Sequence, residues 1–334
     1  MRVKFLILRI VAIVLVSITV SHAEPLRVAC GATSAVCDWL EVHFNQASEL
    51  EVTITRASSG EVLQQLNVPP GQQPYDLWWG GTGDTHIQAG RLGLLQPFKP
   101  EWIDQQLLWS RHFWDLSEEQ SIGIYAGTLV LVTNREALLP ATLPAVSCWS
   151  ELGDPKYRGQ LLVADPGTSG TSFTALATIL QLYDEAQANR LIREIRLNVQ
   201  GRSTSGYETL QRVLLGERAV TLAFAHDVFP LIDAVDSSVV VHSPCEGTGY
   251  EIGAASISRD ASSLDSARKF IDFTLTEAVQ NQLVNGLTHQ MFSNIGTQAS
   301  RVYQDEELLN VIHYDFLTFS TEAERRRVIQ QWEQ

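Results

Sequence analysis

The chain has 334 residues, of which 45% are hydrophobic and 19% are charged, with 24 lysine and arginine residues against 38 aspartate and glutamate residues. This length and this apolar fraction exclude a disordered or fibrous protein, and they allow one large domain or two ordinary domains with hydrophobic cores. The formal net charge of −14 argues against nucleic acid as a partner and against a surface that binds anionic lipid.

Residues 1–23 have the composition of a secretory signal peptide. Arg2 and Lys4 give a positively charged start, an apolar stretch runs from Ile10 to Val20, and Ser21-His22-Ala23 is a small-residue cleavage site. We predict cleavage after Ala23 and a periplasmic protein. An uncleaved anchor is the alternative, although the apolar stretch is shorter than the about 20 residues that span a bilayer. Cleavage removes three cations and no acidic residue, so the mature chain has a net charge of −17.

Three similar units follow the predicted cleavage site, each a strand, a short polar loop and a helix. The strands are Leu26–Ala29, Glu51–Thr55 and Asp76–Trp79, and apolar residues with helical spacing follow each loop. Strands that alternate with helices predict an α/β fold with a mostly parallel sheet. In such a sheet the ligand crevice lies at the carboxyl ends of the strands, which is where the three loops meet.

The middle of the chain departs from this pattern. Ile122–Asn134 is a long β-prone run with no helix behind it, and Tyr250–Ser258 is a second such run. A new α/β series lies between them, with strands predicted at Gln160–Asp165, Ala219–Ala225 and Ser237–His242 and a helix at Phe173–Leu182. The pattern predicts two lobes, with the chain crossing between them twice.

The two crossings divide the mature chain into three stretches. We predict that residues 24–125 form the first part of lobe 1, residues 126–250 form lobe 2, and residues 251–334 form the second part of lobe 1 together with the C-terminal helices. The last helix is predicted to begin after Thr321, because Thr321 and Glu324 have the spacing of a capping box.

The four cysteines are an even number in an exported chain, which favours two disulfides. Cys30 and Cys37 are seven residues apart across a turn that contains glycine, so this pair closes most easily. That pairing leaves Cys148 for Cys245. The other two connectivities and free thiols remain the alternatives.

Four loops place serine, threonine or glycine directly before a predicted helix. A helix N-terminus presents unpaired N–H groups and a partial positive charge, so it can bind phosphate or carboxylate without lysine or arginine. Helix capping explains any one of these loops alone, but four of them at strand ends favour an anion site. The loops are Thr33-Ser34, Ser58-Ser59-Gly60, Gly80–Gly83 and Thr168–Ser172.

Acidic and histidine side chains near these loops could ligate a metal or act as acid and base, although their spacing matches no zincin or EF-hand. A polar ligand is a better use for them, because sugar hydroxyls donate to carboxylates and histidine bonds a hydroxyl or a phosphate oxygen. Helix capping is the alternative for Asp84, and a core position is the alternative for His226. The set is Asp84, His86, His226, Asp227, Glu246 and Glu251.

Six segments together carry a family resemblance. They are Trp79–Ala89, Gly93–Phe98, Leu152–Gly159, Ala164–Ser172, Phe224–Asp227 and Pro244–Gly253. With them the chain resembles the extracellular solute-binding proteins of ABC importers, and more specifically the ferric-ion and sugar-phosphate-binding branch of the type II periplasmic binding proteins. The resemblance covers essentially the whole mature chain. It implies an α/β fold of two lobes, each a mostly parallel sheet flanked by helices, joined by a two-strand hinge that closes on a ligand.

The resemblance also implies a set of ligand-binding residues. Iron binders of this branch use an adjacent tyrosine pair, and this sequence has no Tyr-Tyr dipeptide. The segments around His226 and Cys245 are instead similar to those of hexose-phosphate-binding members. By that match the anion is assigned to Thr33, Ser34, Ser58, Ser59, Ser169, Gly170 and Thr171, the polar body of the ligand to Asp84, His226, Asp227, Glu246 and Glu251, and Gly81 and Thr82 complete the set.

These observations lead to one main functional hypothesis. We expect a monomeric periplasmic binding protein, without cofactor, metal or catalytic activity, that closes on a small phosphorylated metabolite and delivers it to an ABC permease. A sugar phosphate is the first expectation, followed by a phosphoglycerate or a phosphonate. Because the charge of −17 repels anions, we expect recognition to depend on backbone donors at helix ends.

Three alternatives remain beside it. One is a ligand sensor that feeds a membrane histidine kinase, and another is a ferric-ion-binding protein. The third is a secreted metal-dependent phosphatase that uses Asp84, His86, His226 and Asp227.

Overall fold

The computed structural model describes residues 24–140, 142–232, 238–298 and 310–334, and the predicted signal peptide lies outside them. The strands are β1 (Leu26–Cys30), β2 (Val52–Arg56), β3 (Leu77–Thr82), β4 (Leu95–Gln96), β5 (Ser121–Asn134), β6 (Val220–Phe224), β7 (Val239–His242), β8 (Tyr250–Ser258) and β9 (Met291–Phe292).

The helices alternate with these strands over much of the chain. They are α1 (Ser34–Ala47), α2 (Ser59–Leu66), α3 (Gly83–Arg91), α4 (Leu108–Leu116), α5 (Gly170–Leu182), α6 (Glu185–Asn198), α7 (Gly206–Leu214), α8 (Ala225–Ile232), α9 (Leu264–Thr274), α10 (Glu277–Gly286), α11 (Phe316–Phe319) and α12 (Glu322–Glu333). In the described ranges, no helix combines the length and the apolar character that a membrane span requires.

The central sheet joins both halves of the chain in the order β2-β1-β3-β8-β5-β6. Strands β1, β2 and β3 are parallel, whereas β8 runs antiparallel to β3 and to β5. The first part of β5 pairs with β8, and its last part pairs with β6 and β7. Strands β5 and β8 therefore connect lobe 1, which is built on β1 to β3, with lobe 2, which is built on β6, β7 and α5 to α7.

Two large hydrophobic cores support the lobes. One contains Val28 of β1, Leu40 of α1 and Phe270 of α9, all almost fully buried. The other contains Phe173 of α5 and Ile192 of α6, packed against β6. Both crossing points predicted from the sequence fall within β5 and β8.

The C-terminal helices contact both lobes. Helix α11 packs against α3 in lobe 1, whereas α12 packs against α5 and α6 in lobe 2. The last helix, which we grouped with the second part of lobe 1, thus packs on lobe 2. The side chain of Thr321 accepts the N–H of Glu324 at 3.2 Å, as in a capping box, but the carboxylate of Glu324 pairs with Arg327.

Two local predictions differ from the structure. The strand expected at Gln160–Asp165 is reduced to bridges at Leu161, and the chain turns at Asp165, whose carboxylate accepts the N–H of Gly167. The loop expected after Trp79 is instead an irregular continuation of β3. Gly80 and Gly81 have φ of 76° and 88°, a conformation that glycine adopts without steric cost and that produces the irregularity.

The disulfides Cys30–Cys37 and Cys148–Cys245 are both present, as we favoured, and no cysteine is free. The first joins β1 to α1. The second joins the chain before residue 150 to the loop that precedes β8.

Candidate ligand-binding site

A small cavity of about 40 Å³ lies between the two lobes. Loops after β1, β2 and β3 meet there with the first turns of α5, α7 and α8, and the two connecting strands form one wall. The lining residues are Gly31, Ala32, Thr33, Arg56, Ser58, Ser59, Gly81, Thr82, Tyr125, Ser169, Gly170, Thr171, Ser205, Gly206, Tyr207, Phe224, His226, Asp227 and Glu251. Most of the residues predicted from the Ser/Thr/Gly loops therefore meet at one place.

The helix starts around the cavity differ in how they are capped. Ser169 caps α5 by accepting the N–H of Ser172 at 3.3 Å. Thr33 before α1 and Ser205 before α7 make no such side-chain bond. The first N–H groups of α1 and α7 thus have no side-chain cap from these residues and can serve an acceptor on a ligand.

Strand β3 is fixed to its neighbours where it reaches the cavity. The N–H of Thr82 donates to Oγ of Ser59 at 2.9 Å, and the N–H of Gly81 donates to the hydroxyl of Tyr125 at 3.1 Å. These bonds tie together α2, β3 and the connecting strand β5. This part of the cavity wall is thereby held by hydrogen bonds within the protein.

His226 and Glu251, which are buried, and Asp227, which is partly buried, form a cluster in the cavity wall. Nε2 of His226 lies 3.2 Å from Oε1 of Glu251 and 3.6 Å from Oδ1 of Asp227, and the imidazole stacks on Phe224 with an interplanar angle of 7°. Nδ1 of His226 is buried and lacks a hydrogen-bond partner among the described residues. A buried polar atom of this kind calls for a partner from a ligand.

Burial sets the protonation of this cluster. It lowers the pKa of His226, which favours the neutral imidazole. It raises the pKa of Asp227, and burial together with the charge of Asp84 raises the pKa of Glu251 well above its usual value. The cluster can therefore accept hydrogen bonds from neutral polar groups and donate hydrogen bonds to them.

The two lobes contact each other beside the cavity. The N–H of Gly60 donates to the carbonyl oxygen of Thr168 at 2.8 Å, and Oγ of Ser58 donates to the carbonyl oxygen of Thr204 at 3.3 Å. Gly60 and Ser58 belong to lobe 1, and the two acceptors belong to lobe 2. The cavity is small because the lobes are in contact here.

Arg56 is a lining residue that the sequence analysis missed. It ends β2, its Nε donates to the carbonyl oxygen of Ala32 at 3.2 Å, and its Nη2 donates to Oγ of Ser205 at 3.0 Å. The predicted strand stopped one residue earlier, at Thr55, so the first cation of the cleft was not considered. Ser205 precedes α7 and Gly206 is its first residue, so this helix start has the same Ser/Thr/Gly pattern as the four predicted loops.

Asp84 lies outside the cavity lining. Its carboxylate is 1% exposed, accepts the N–H of Thr85 at 2.8 Å and accepts the hydroxyl of Tyr314 at 3.2 Å. Burial raises the pKa of Asp84, and the charge of Arg325 opposes that shift. The acceptor oxygens are thus used within the protein.

Glu246 and Ser34 also lie outside the lining. The carboxylate of Glu246 accepts the N–H groups of Trp149 at 2.8 Å and Ser150 at 2.9 Å and the hydroxyl of Tyr183 at 2.7 Å. It therefore holds a structural turn beside the Cys148–Cys245 disulfide. Ser34 is exposed at the first residue of α1.

The four residues of the phosphatase alternative do not share one site. His86 is fully buried in lobe 1, with Nδ1 at 2.6 Å from Oγ of Ser256 and Nε2 at 3.1 Å from the carbonyl oxygen of Gly80. His226 and Asp227 instead line the cavity. Within the described ranges, the one group of potential ligands close enough to share a metal is Cys148, Cys245 and Glu246, in which both sulfurs form the disulfide.

Comparison with known proteins places the chain among binding proteins. The family model described as bacterial extracellular solute-binding protein matches residues 84–318. An uncharacterized protein of Haemophilus influenzae is 31% identical over 311 residues, which are 92% of this chain and 90% of that protein. Iron uptake protein A2 of Synechocystis is more distant, 22% identical over 73% of this chain and 74% of that protein.

Two solved structures have the same two-lobed architecture. The periplasmic binding protein AfuA of Actinobacillus pleuropneumoniae, with exogenous fructose-6-phosphate bound, is 31% identical with a TM-score of 0.83 over 92% of this chain and 97% of that chain. The periplasmic binding protein P5PA is 26% identical with a TM-score of 0.87 over 92% of this chain and 98% of that chain. The protein therefore belongs to the bacterial extracellular solute-binding protein family, and within it to the type II periplasmic binding proteins of the ferric-ion and sugar-phosphate-binding branch.

Proposed function

We propose that the protein captures a small phosphorylated metabolite, a sugar phosphate, in the periplasm and delivers it as a monomer to the permease of an ABC importer. The protein reaches the periplasm after cleavage behind Ala23. The observation that carries the proposal is that one cavity contains both a set of N–H, hydroxyl and guanidinium donors and a buried histidine–carboxylate cluster. A phosphate needs the former, and sugar hydroxyls need the latter.

The phosphate is assigned to the helix starts and to hydroxyl donors around them. Backbone N–H groups at a helix start stabilise an anion without a long-range positive field, so a protein of net charge −17 can still bind phosphate. Ser34 is left out, because it is exposed and lies outside the cavity. The assigned residues are Thr33, Ser58, Ser59, Ser169, Gly170 and Thr171, with Gly81 and Thr82 as neighbours.

The sugar hydroxyls are assigned to His226, Asp227 and Glu251. The unpartnered Nδ1 of His226 supports this assignment, because a ligand hydroxyl would satisfy it. Asp84 and Glu246 are left out, because their carboxylates accept hydrogen bonds from Tyr314 and from the turn at Trp149. The assignment is supported by AfuA, a relative whose structure contains bound fructose-6-phosphate.

Closure of the lobes completes the mechanism. The ligand first binds one lobe and then gains contacts from the other, so it stabilises the closed arrangement by the contacts that only this arrangement offers. No covalent step takes place. The closed face is then recognised by the permease, with a membrane histidine kinase as the alternative partner.

Ferric ion is the less suitable ligand. Iron uptake proteins are among the distant relatives. However, the chain has no adjacent tyrosine pair of the kind that iron binders of this branch use. The hydroxyl of Tyr125, which lines the cavity, already accepts the N–H of Gly81 at 3.1 Å.

Calorimetry and thermal shift with glucose 6-phosphate, glucose and inorganic phosphate test the proposal. We expect the phosphate ester to bind more tightly than glucose, and native mass spectrometry of protein purified from its own periplasm to show a phosphorylated ligand. Equal stabilisation by glucose and its phosphate contradicts the anion assignment. Metal-dependent turnover of a chromogenic phosphate ester contradicts a purely binding role.

A further inference from the structure

Arg56 touches both lobes at the mouth of the cavity. Its Nε is held by Ala32 of lobe 1, and its Nη2 donates to Oγ of Ser205 at the start of α7 in lobe 2. The guanidinium carbon also lies 5.9 Å from the centre of the Tyr207 ring in lobe 2. The side chain therefore makes its lobe 2 contacts only when the lobes are together.

The charge of Arg56 lacks a direct partner in the part of the chain that the structure describes. No carboxylate oxygen there lies within 4.0 Å of its nitrogens, whereas Arg27 pairs with Asp76 and Arg212 pairs with Glu217 at such distances. Arg56 is half-buried and lines the cavity. The charge of Arg56 opposes the rise in the pKa of Asp227, which lines the same cavity, but the two side chains form no ion pair, so a ligand anion can still bind the guanidinium directly.

The contacts already made by Arg56 do not require its charge. The carbonyl oxygen of Ala32 and the hydroxyl of Ser205 are neutral acceptors that an amide could also serve. A guanidinium has five N–H donors, and these two bonds occupy two of them, so donors remain for a ligand. What the positive charge adds is a preference for an anion.

We propose that Arg56 makes lobe closure depend on the negative charge of the ligand. The ligand anion binds the guanidinium, and the neutralised side chain stays on Ser205 and Tyr207, which holds α7 of lobe 2 against β2 of lobe 1. A neutral sugar binds the histidine–carboxylate side of the site without this effect. The inference rests on the proposed function, and it makes Arg56 a specificity-determining residue beside the backbone donors.

Arg56→Gln, Arg56→Lys and the control Arg135→Gln test the inference. Arg135 is exposed in the turn after β5 and lies outside the cavity, so its variant removes the same charge without touching the site. Each protein is titrated with glucose 6-phosphate and glucose at low and high salt. Small-angle X-ray scattering then measures compaction at saturating ligand.

We expect Arg56→Gln to weaken glucose 6-phosphate binding by about 10- to 100-fold and glucose binding by less than about twofold, since a hydrogen bond to a charged group is what it loses. Its complex should compact less than the wild-type complex, and its affinity should depend less on salt. Arg56→Lys keeps the charge without the planar fork, so its affinity should be intermediate and its compaction close to that of the wild type. Arg135→Gln should behave as the wild type.

Different results would contradict the proposed role of Arg56 and the proposed function of the whole protein. Arg56→Gln with wild-type affinity for the ester and wild-type compaction overturns the inference alone, and so does an equal loss in Arg135→Gln, which would indicate a general charge effect. A wild-type protein that binds no phosphate ester overturns the proposed function together with the inference. If Arg56→Gln fails to fold, the salt dependence and compaction of Arg56→Lys decide, because loss of both in that folded variant contradicts a role of charge.

Discussion

The backbone N–H of Gly60 in lobe 1 donates a 2.8 Å hydrogen bond to the carbonyl oxygen of Thr168 in lobe 2. A Cβ atom on Gly60 would lie 2.3 Å from the carbonyl oxygen of Gly167 and 2.8 Å from Cα of Thr168. Gly60 belongs to α2 and has no left-handed backbone conformation, so alanine suits the helix itself. The space that alanine needs is missing only because the lobes are closed.

Gly60→Ala should therefore weaken closure of the lobes without lowering the stability of the folded protein. Alanine forms helices at least as well as glycine, so the open, ligand-free protein should keep its melting temperature. The closed arrangement becomes strained, and we expect ligand affinity to fall by about tenfold or more. Calorimetry gives the affinity, and small-angle X-ray scattering gives the compaction.

Gly286→Ala is the matched control for this variant. Gly286 ends α10, and a Cβ atom there meets nothing within 4 Å. Its affinity and compaction should equal those of the wild type. If Gly60→Ala closes on ligand as completely as Gly286→Ala, the contact between Gly60 and Thr168 has no part in closure.

Glu251 should make the ligand-free protein less stable at higher pH. Its pKa is raised in the folded state by burial and by the charge of Asp84, so folding loses stability as the pH rises from the ordinary value of 4.5 through the folded value. Glu251→Gln removes this loss. We expect the variant to melt above the wild type at about pH 8, with a difference that shrinks toward acid pH.

His226 changes the stability with pH in the opposite direction to Glu251, so the two contributions must be distinguished. Its pKa is lowered by burial, so its contribution to stability is lost as the pH falls below the ordinary value of 6.5. Glu251→Gln should still lose stability as the pH falls below 6.5, because it retains His226. It should bind the ligand about tenfold more weakly. Exposed Glu136→Gln is the control. A variant with wild-type affinity would show that Glu251 is no ligand acceptor.

Local sequence patterns predicted much of the fold and part of the site. The alternation of strands and helices located β1 to β3, β5, β6 and β8. Ser/Thr/Gly loops before helices pointed to Thr33, Ser58 and Ser169, because the carboxyl ends of neighbouring strands converge. These predictions succeed because each depends on a short stretch of chain.

The remaining errors concern residues whose role depends on distant parts of the chain. Asp84 is bonded to Tyr314, which is 230 residues away, and Glu246 accepts the N–H of Trp149, 97 residues away. The sequence alone does not distinguish a carboxylate that accepts hydrogen bonds from a distant residue from one that is free to bind a ligand. Arg56 lies one residue beyond the predicted strand, and nothing near it in sequence indicates its partner Ser205, which is 149 residues away.

Loss of the Cys148–Cys245 disulfide should destabilise the protein without changing the cavity. The bond spans a separation of 97 residues, and in the chain-entropy description a loop of that length stabilises by about 4–5 kcal/mol. Cys148→Ala/Cys245→Ala should lower the urea midpoint and leave ligand affinity within about twofold, because neither cysteine lines the cavity. Mild reduction of the wild type should reproduce the shift, since Cys245 is exposed whereas Cys30 and Cys37 are buried. An unchanged midpoint contradicts this prediction.

Asp84 and Asp227 should separate stability from binding. Asp84 accepts the N–H of Thr85 on one carboxylate oxygen and the hydroxyl of Tyr314 on the other, and asparagine would place an NH2 group against one of these donors. Asp84→Asn should therefore lower the free energy of unfolding by about 1–3 kcal/mol, although it relieves a buried charge, and leave the affinity of the surviving folded protein unchanged. Asp227 lines the cavity and its pKa is raised by burial, so Asp227→Asn relieves a buried charge and should not lower stability, but it should weaken binding of the phosphorylated sugar by about tenfold. Urea unfolding and calorimetry on the two variants measure both quantities. If affinity is instead lost in Asp84→Asn and kept in Asp227→Asn, then Asp84 contacts the ligand and Asp227 does not.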